Sequence, residues 1–323
     1  MKNFHNRGGK LVLLIAIFAL LAISGSAQLK LRRAMDFDGD GKADFSIFRP
    51  SNNVWYIAES SGNFKFANFG IANEDFMTPG DYDGDGKADI AVWRDTTGVF
   101  YILNSSNNTF SIGQWGVTGD EPVARDYDGD GKTDLAVVRR TNGAMIWYVL
   151  SSQTGNFSAV QWGVSTDFTA PGDYDGDGKF DLAVQRPGAT PTSQATFYIL
   201  RSTDFGATIV AWGFSNDLVV PGDYDGDGKT DIAVVREGST PTSNLTWYVL
   251  KSSDGGLIAK VFGITGSDLD AQNDYDGDGK CDIAIWRDSD ANFYYLGSAG
   301  VGNTSVIHWG ASNDFPVASY DTH

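Results

Sequence analysis

The chain is poor in the residues that most enzyme and scaffold chemistries need. One cysteine in 323 residues excludes a disulfide framework and any cysteine-based zinc site. Three histidines leave little for general acid–base work. After His5 only His308 and His323 remain, too few for a metal triad or a Ser–His–Asp centre. No G-x-S-x-G, H-E-x-x-H or phosphate-loop string occurs. Basic residues are scarce beside acidic ones, 24 against 41, and a net charge of −17 argues against a nucleic-acid partner. Glutamate is nearly missing too: 37 of the acids are Asp and 4 are Glu. Asp and Gly in such excess point to turns or calcium loops, not helix surfaces.

Long apolar runs are also lacking, with one exception. Leu11 to Ile23 is an uninterrupted apolar run of 13 residues, preceded by Lys2, Arg7 and Lys10 and followed by Ser24-Gly25-Ser26-Ala27. That is the layout of a secretory signal cleaved before Gln28, and the run is short for a membrane span. The expected organisation is a signal over residues 1–27 and a single domain over 28–323, exported as a monomer, secreted or held at the cell surface or periplasm, with no membrane insertion.

What is present is repetition. The string D-[FY]-D-G-D-G-K-x-D begins at Asp36, Asp81, Asp126, Asp173, Asp223 and Asp274. Five residues after each copy's last Asp stands an arginine: Arg49, Arg94, Arg139, Arg186, Arg236 and Arg287. A second apolar stretch follows (VWYIAES in the first copy, TWYVLKS in the fifth), then a third ending in an aromatic–glycine pair: Phe69-Gly70, Trp115-Gly116, Trp162-Gly163, Trp212-Gly213, Phe262-Gly263 and Trp309-Gly310. A fourth short stretch, such as DLVVPGDYD, leads into the next acidic loop. The stretches are short, β-branched and aromatic, bounded by turn residues, and without a 3.6-residue period. Four strands per unit, repeated six times, predict an all-β, six-bladed propeller of four-stranded antiparallel blades. A seventh blade would need strands the chain does not have. Both ends carry a spare first strand, Leu31–Met35 and Phe315–Tyr320, so one of them is expected to complete the first blade across the seam.

The acidic loops hold the clearest chemistry. Carboxylates at loop positions 1, 3, 5 and 9, with the carbonyl of position 7, can converge on one cation, and glycines at 4 and 6 permit so tight a turn. Hard oxygen donors on a flexible loop suit Ca²⁺. An Asp-Gly turn needs one Asp, whereas four unneutralised carboxylates would repel at about 4 kcal/mol per close pair at an effective dielectric near 20. The expected ligands are Asp36, Asp38, Asp40, Lys42 and Asp44; Asp81, Asp83, Asp85, Lys87 and Asp89; and Asp126, Asp128, Asp130, Lys132 and Asp134. The later copies supply Asp173, Asp175, Asp177, Lys179 and Asp181; Asp223, Asp225, Asp227, Lys229 and Asp231; and Asp274, Asp276, Asp278, Lys280 and Asp282. Each lysine enters through its backbone carbonyl, giving up to six Ca²⁺.

The run from an aromatic–glycine pair through P-G-D-Y-D-G-D-G-K-x-D to an apolar strand resembles the FG-GAP, or VCBS, repeat family, over about residues 30–320. That family includes the calcium-loop propeller of integrin α subunits and several propeller lectins. The resemblance implies calcium ligation by the 24 loop aspartates. It also implies that the loops join each blade's first two strands on one face, leaving the other for ligands. Where the family ends its strand in Gly-Ala-Pro, this chain has x-Arg.

Three other features invite function. The six arginines could form a basic ring for an acidic ligand, although pairing with a neighbouring blade's Asp or with strand carbonyls is favoured. The aromatic–glycine pairs could be stacking platforms for sugars, although inter-blade core is favoured. The longer connections at 187–195 and 237–245 break the symmetry and could mark one asymmetric site. Cys281 takes a loop position otherwise held by Ala, Thr or Phe and carries no assigned role. The expected function is a non-catalytic binding module for glycans or cell surfaces. The alternative is protein–protein adhesion, with a polysaccharide-active enzyme ranked below both.

Overall fold

The computed structural model describes residues 35–298 and 304–317. Residues 1–34, which include the signal-like segment, lie outside them. Within the described residues there is no helix, and so none long and apolar enough to cross a membrane.

Six four-stranded antiparallel sheets form the blades of a propeller. In sheet order the second blade runs Asp75–Met77, Ile90–Arg94, Val99–Leu103 and Phe110–Gln114. The third runs Glu121–Pro122, Leu135–Thr141, Ala144–Leu150 and Phe157–Val164. The fourth is Phe168–Thr169, Leu182–Arg186, Gln194–Leu200 and Ala207–Phe214. The fifth is Leu218–Val219, Ile232–Arg236, Asn244–Leu250 and Leu257–Ile264. The sixth is Asp268–Asp270, Ile283–Arg287, Asn292–Leu296 and Thr304–His308. Second strands are buried on both faces and fourth strands expose alternate residues, so the fourth makes the rim and the first faces the axis.

The first blade resolves the spare-strand question. Its sheet is Phe315–Pro316, Phe45–Arg49, Val54–Ala58 and Phe64–Asn68, so the C-terminal segment supplies the first strand. Ile47 pairs with Pro316 and Phe48 with Phe315. Met35 is in a turn, and the rest of the N-terminal candidate, residues 31–34, lies outside the described residues.

First strands are only two or three residues long, shorter than the sequence suggests. A proline interrupts several of these segments (Pro79, Pro122, Pro171, Pro221), and it has no N–H for a ladder. Pairing resumes beside the acidic loop as single bridges, such as Gly80 with Asp89.

Each repeated arginine is a clamp inside its own blade, not a bridge to the next. Arg94 grips Asp75 through Nε and Nη2 at 2.7 and 2.9 Å. Equivalent pairs join Arg139 to Asp120, Arg186 to Asp167, Arg236 to Asp217, Arg287 to Asp268, and Arg49 to Asp314 across the seam. Each guanidinium also lies over a third-strand tyrosine, from Arg49 over Tyr56 at 4.3 Å to Arg287 over Tyr294 at 4.7 Å. With every arginine so held, the basic-ring reading loses its basis.

The aromatic–glycine pairs are inter-blade core, as favoured. Trp115 donates its indole N–H to the Tyr148 carbonyl of the next blade at 3.1 Å, Trp162 to Tyr198, Trp212 to Tyr248, and Trp309 to Tyr56 across the seam.

Blades also meet where loop position 8 packs on the residue before the preceding loop. A Cβ on Gly172 would stand 2.6 Å from Thr230, and one on Gly222 would stand 2.8 Å from the Cys281 sulfur. Cys281 is therefore a buried packing residue, its thiol pushed well above the usual range by burial. Gly222→Ala should cost about 1–3 kcal/mol by overpacking. Adding Cys281→Ala should return most of that loss in a denaturant-midpoint comparison, and additive costs would show that the two do not share this joint.

Candidate metal site

Five acidic loops link the first and second strands of their blades and the first loop leads into the second strand of blade one, so all six lie on one face. In the second copy, Asp81 accepts the N–H groups of Gly84 and Gly86 at 2.6 and 2.9 Å, folding the loop around its own carboxylate. Gly84 and Gly86 sit at φ 84° and 88°, which glycine adopts without strain. Oxygens of Asp81, Asp83 and Asp85 lie within 4.8 Å of one another, as do those of Asp36, Asp38 and Asp40. In the third, fourth and fifth copies the convergent trio comes from positions 1, 3 and 9: Asp126, Asp128 and Asp134; Asp173, Asp175 and Asp181; Asp223, Asp225 and Asp231. The structure thus gathers predicted carboxylates into clusters that could hold a metal ion.

Position 9 has a second task. Asp89 Oδ2 accepts the Tyr82 N–H at 2.8 Å, and its Oδ1 accepts the Ser105 N–H at 2.6 Å, tying the loop to the turn between third and fourth strands. The same serine contact reaches Asp44 from Ser60, Asp134 from Ser152, Asp181 from Ser202, Asp231 from Ser252 and Asp282 from Ser298. Sequence reasoning missed this serine, although it ends all six second stretches.

Burial raises the proton affinity of the acids at position 9 in every copy and at position 1 in four. Asp44, Asp181, Asp231 and Asp282 are pushed up to about 7 by burial, with neighbouring loop carboxylates adding to the shift. Asp81, Asp134, Asp173 and Asp223 are pushed up to about 6 for the same first cause. Acids packed at this cost suit a cation that would repay it. The donor set is all hard oxygen, which fits calcium and offers nothing to soft metals.

The loops are joined into a ring. The N–H of position 8 donates to the position 1 carbonyl of the preceding loop: Ala88 to Asp36, Thr133 to Asp81, Phe180 to Asp126, Thr230 to Asp173, Cys281 to Asp223, and Ala43 to Asp274, all at 2.7–2.9 Å. The lysine side chains, considered from sequence only for their carbonyls, also reach backwards. A Cβ on Gly39 would meet Lys87 at 3.1 Å and one on Gly176 would meet Lys229 at 3.1 Å, while Lys132 Nζ donates to the Asp83 carbonyl at 3.0 Å. Each ammonium thus lies close to the neighbouring acidic loop.

The profile of the FG-GAP-like repeat family matches residues 36–92 and 126–184. No curated protein matches the chain in sequence. Among solved structures, the chain is similar to apo AztD from Citrobacter koseri at 12% identity and a TM-score of 0.41, covering 86% of this chain and 98% of that one. It is also similar to dihydro-heme d1 dehydrogenase NirN in complex with DHE, at 12% identity and a TM-score of 0.36, covering 86% of this chain and 56% of that one.

Proposed function

We propose that this chain, an FG-GAP repeat β-propeller, is an exported, calcium-stapled and non-catalytic binding module that recognises glycans or cell surfaces. The observation that carries the calcium reading is the recurrence of convergent buried carboxylates in closed loops. When bound, Ca²⁺ would neutralise each cluster, and Asp81 and its equivalents would orient the loop around it.

Glycan recognition draws support from which aromatics remain open. The aromatic–glycine indoles are taken up by the core, so they are not the platforms. Phe64, Phe66, Phe110 and Phe157 on the fourth strands are instead 54–67% exposed, on a rim whose strands carry no acidic residue. Flat apolar rings in a neutral setting suit the apolar face of a pyranose. A non-catalytic role is favoured because the recurrent acids and arginines are committed to loops and clamps.

The test is a glycan array probed with folded chain in millimolar calcium and again in excess chelator. Calcium-dependent binding to a coherent sugar set, weakened by Phe64→Ala or Phe157→Ala, is expected, with avidity on dense surfaces exceeding monovalent affinity. A blank array from folded, calcium-loaded chain would reject glycans and favour a protein partner, to be sought at the connections 187–195 and 237–245.

A further inference from the structure

The cleft between the third and fourth blades differs from the other joints, and we propose that it binds a small aromatic carboxylate. The inference does not rest on the glycan reading, although the cavity reaches the rim at Phe157 and Val160 of the fourth strand of blade three.

The difference begins at loop position 8. Where Thr230 and Cys281 pack on glycines, the joint between blades three and four sets Phe180 against Arg125, whose guanidinium lies 5.7 Å from the ring centroid. Two large side chains replace a small pair, and a cavity of about 330 Å³ lies beside Phe180, opening on the metal-loop face. Its apolar walls are Val149 and Val160 from blade three and Phe180, Leu182 and Leu200 from blade four. That volume suits a compact ligand of one or two rings.

Phe205 stands at the mouth, 77% exposed, with φ at 54°. Other blades hold the corresponding turn with Asn108, Gly155 and Gly255, residues that tolerate a positive φ. A bulky aromatic there is strained and gains little burial in return, a combination that points to a role in binding.

The charges select the ligand's polar end. Asp134 and Asp128 line the cavity but accept loop N–H and hydroxyl groups. Arg201 is held by Asp204 and Thr208. Lys179 is half-buried at the edge, and its ammonium makes no hydrogen bond among the described residues. Lys179 lies along the acidic loop of blade three at Gly129, and a cation there that makes no hydrogen bond, beside aromatic walls, fits a carboxylate carried on an aromatic ring.

Phenylacetate and its neutral analogue 2-phenylethanol, titrated against the calcium-loaded full chain by saturation-transfer NMR, test this. Phenylacetate should bind at least several-fold more tightly, and Lys179→Gln, which keeps the backbone carbonyl, should erase that preference. Val160→Trp should fill the cavity and abolish binding of both. Phe205→Gly should weaken both at least tenfold while raising the melting temperature by a few degrees, because glycine relieves the strained turn. That opposite movement separates a binding role from a structural one. Absence of transfer from phenylacetate, or unchanged affinity in Phe205→Gly, would overturn the proposal.

Discussion

Stripped of calcium, the protein will melt tens of degrees lower, and pH will then move its melting point in the opposite direction. Consider the apo chain first. Asp44, Asp181, Asp231 and Asp282 titrate at about 7 in the fold, against an ordinary value of 3.8. Between those limits the folded chain binds more protons than the unfolded one, so stability must fall as pH rises from 4 to 7. The apo protein should therefore be firmest near pH 4 and weakest above pH 7. Calcium requires the same carboxylates deprotonated, so its affinity, and the stability it confers, rises over this window. The melting curves of apo and loaded protein should diverge with pH and lie closest at the acid end of this window. At 100 times its dissociation constant, a ligand adds about 2.7 kcal/mol per site. Six sites would give about 16 kcal/mol, and at about 2–4 °C per kcal/mol the shift is roughly 30–60 °C. Calorimetry at pH 5 and pH 8, with calcium and with chelator, measures both effects. A melting point indifferent to calcium at pH 8 would remove calcium from the account of this fold.

The same loops show why part of the molecule was legible in the sequence and part was not. Strand number, blade number and loop position are periodic, and a period survives without coordinates. Partners are another matter. Asp75 stands 19 residues before Arg94, and nothing local joins them until two strands pair in register. Six such aspartates follow the aromatic–glycine pairs by four or five residues, so the pattern was present, but its meaning required the sheet. The lysine side chains were not read, for the same reason. From sequence only their carbonyls face the loop, while five of their side chains reach a loop 48–54 residues earlier, as Lys87 does to Gly39, and Lys42 reaches Gly277 across the seam. The asymmetric cleft was invisible because Phe180 and Phe205 read as single exchanges within a repeat.

One sequence clue to ring closure had gone unused. In five loops the position 2 tyrosine donates its hydroxyl to the carbonyl four residues earlier, at the end of its own first strand, as Tyr82 does to Thr78 at 2.7 Å. Tyr127, Tyr174, Tyr224 and Tyr275 repeat the bond. The first loop has Phe37, with no hydroxyl to donate, and in that blade the first strand arrives from the other end of the chain.

Ending the chain after Asn313 should therefore open the ring. The truncation removes the buried Asp314 from Arg49, which grips it at 2.7 and 2.8 Å. It also removes the ladder at Phe315 and Pro316, and the Val317 N–H bond to the Ser46 carbonyl at 2.8 Å. Leaving a half-buried arginine unpaired costs about 3–5 kcal/mol, and exposing the core around Ile47 and Val317 adds about 1.5–3 kcal/mol for each apolar side chain uncovered. A loss above about 5 kcal/mol follows, lowering the melting point by at least about 10 °C. Because Phe45–Arg49 then presents an unpaired edge, the truncated chain should also self-associate, as size-exclusion chromatography would show. Asp314→Asn separates the clamp from the strand: it should lose only the ion-pair part, by about as much as Asp217→Asn in the covalently continuous fifth blade. A peptide of residues 311–323 added to the truncated chain should recover part of the melting point by pairing with the open edge. Truncated and full-length chains that melt within a degree or two of each other would show that this strand does not hold the ring shut.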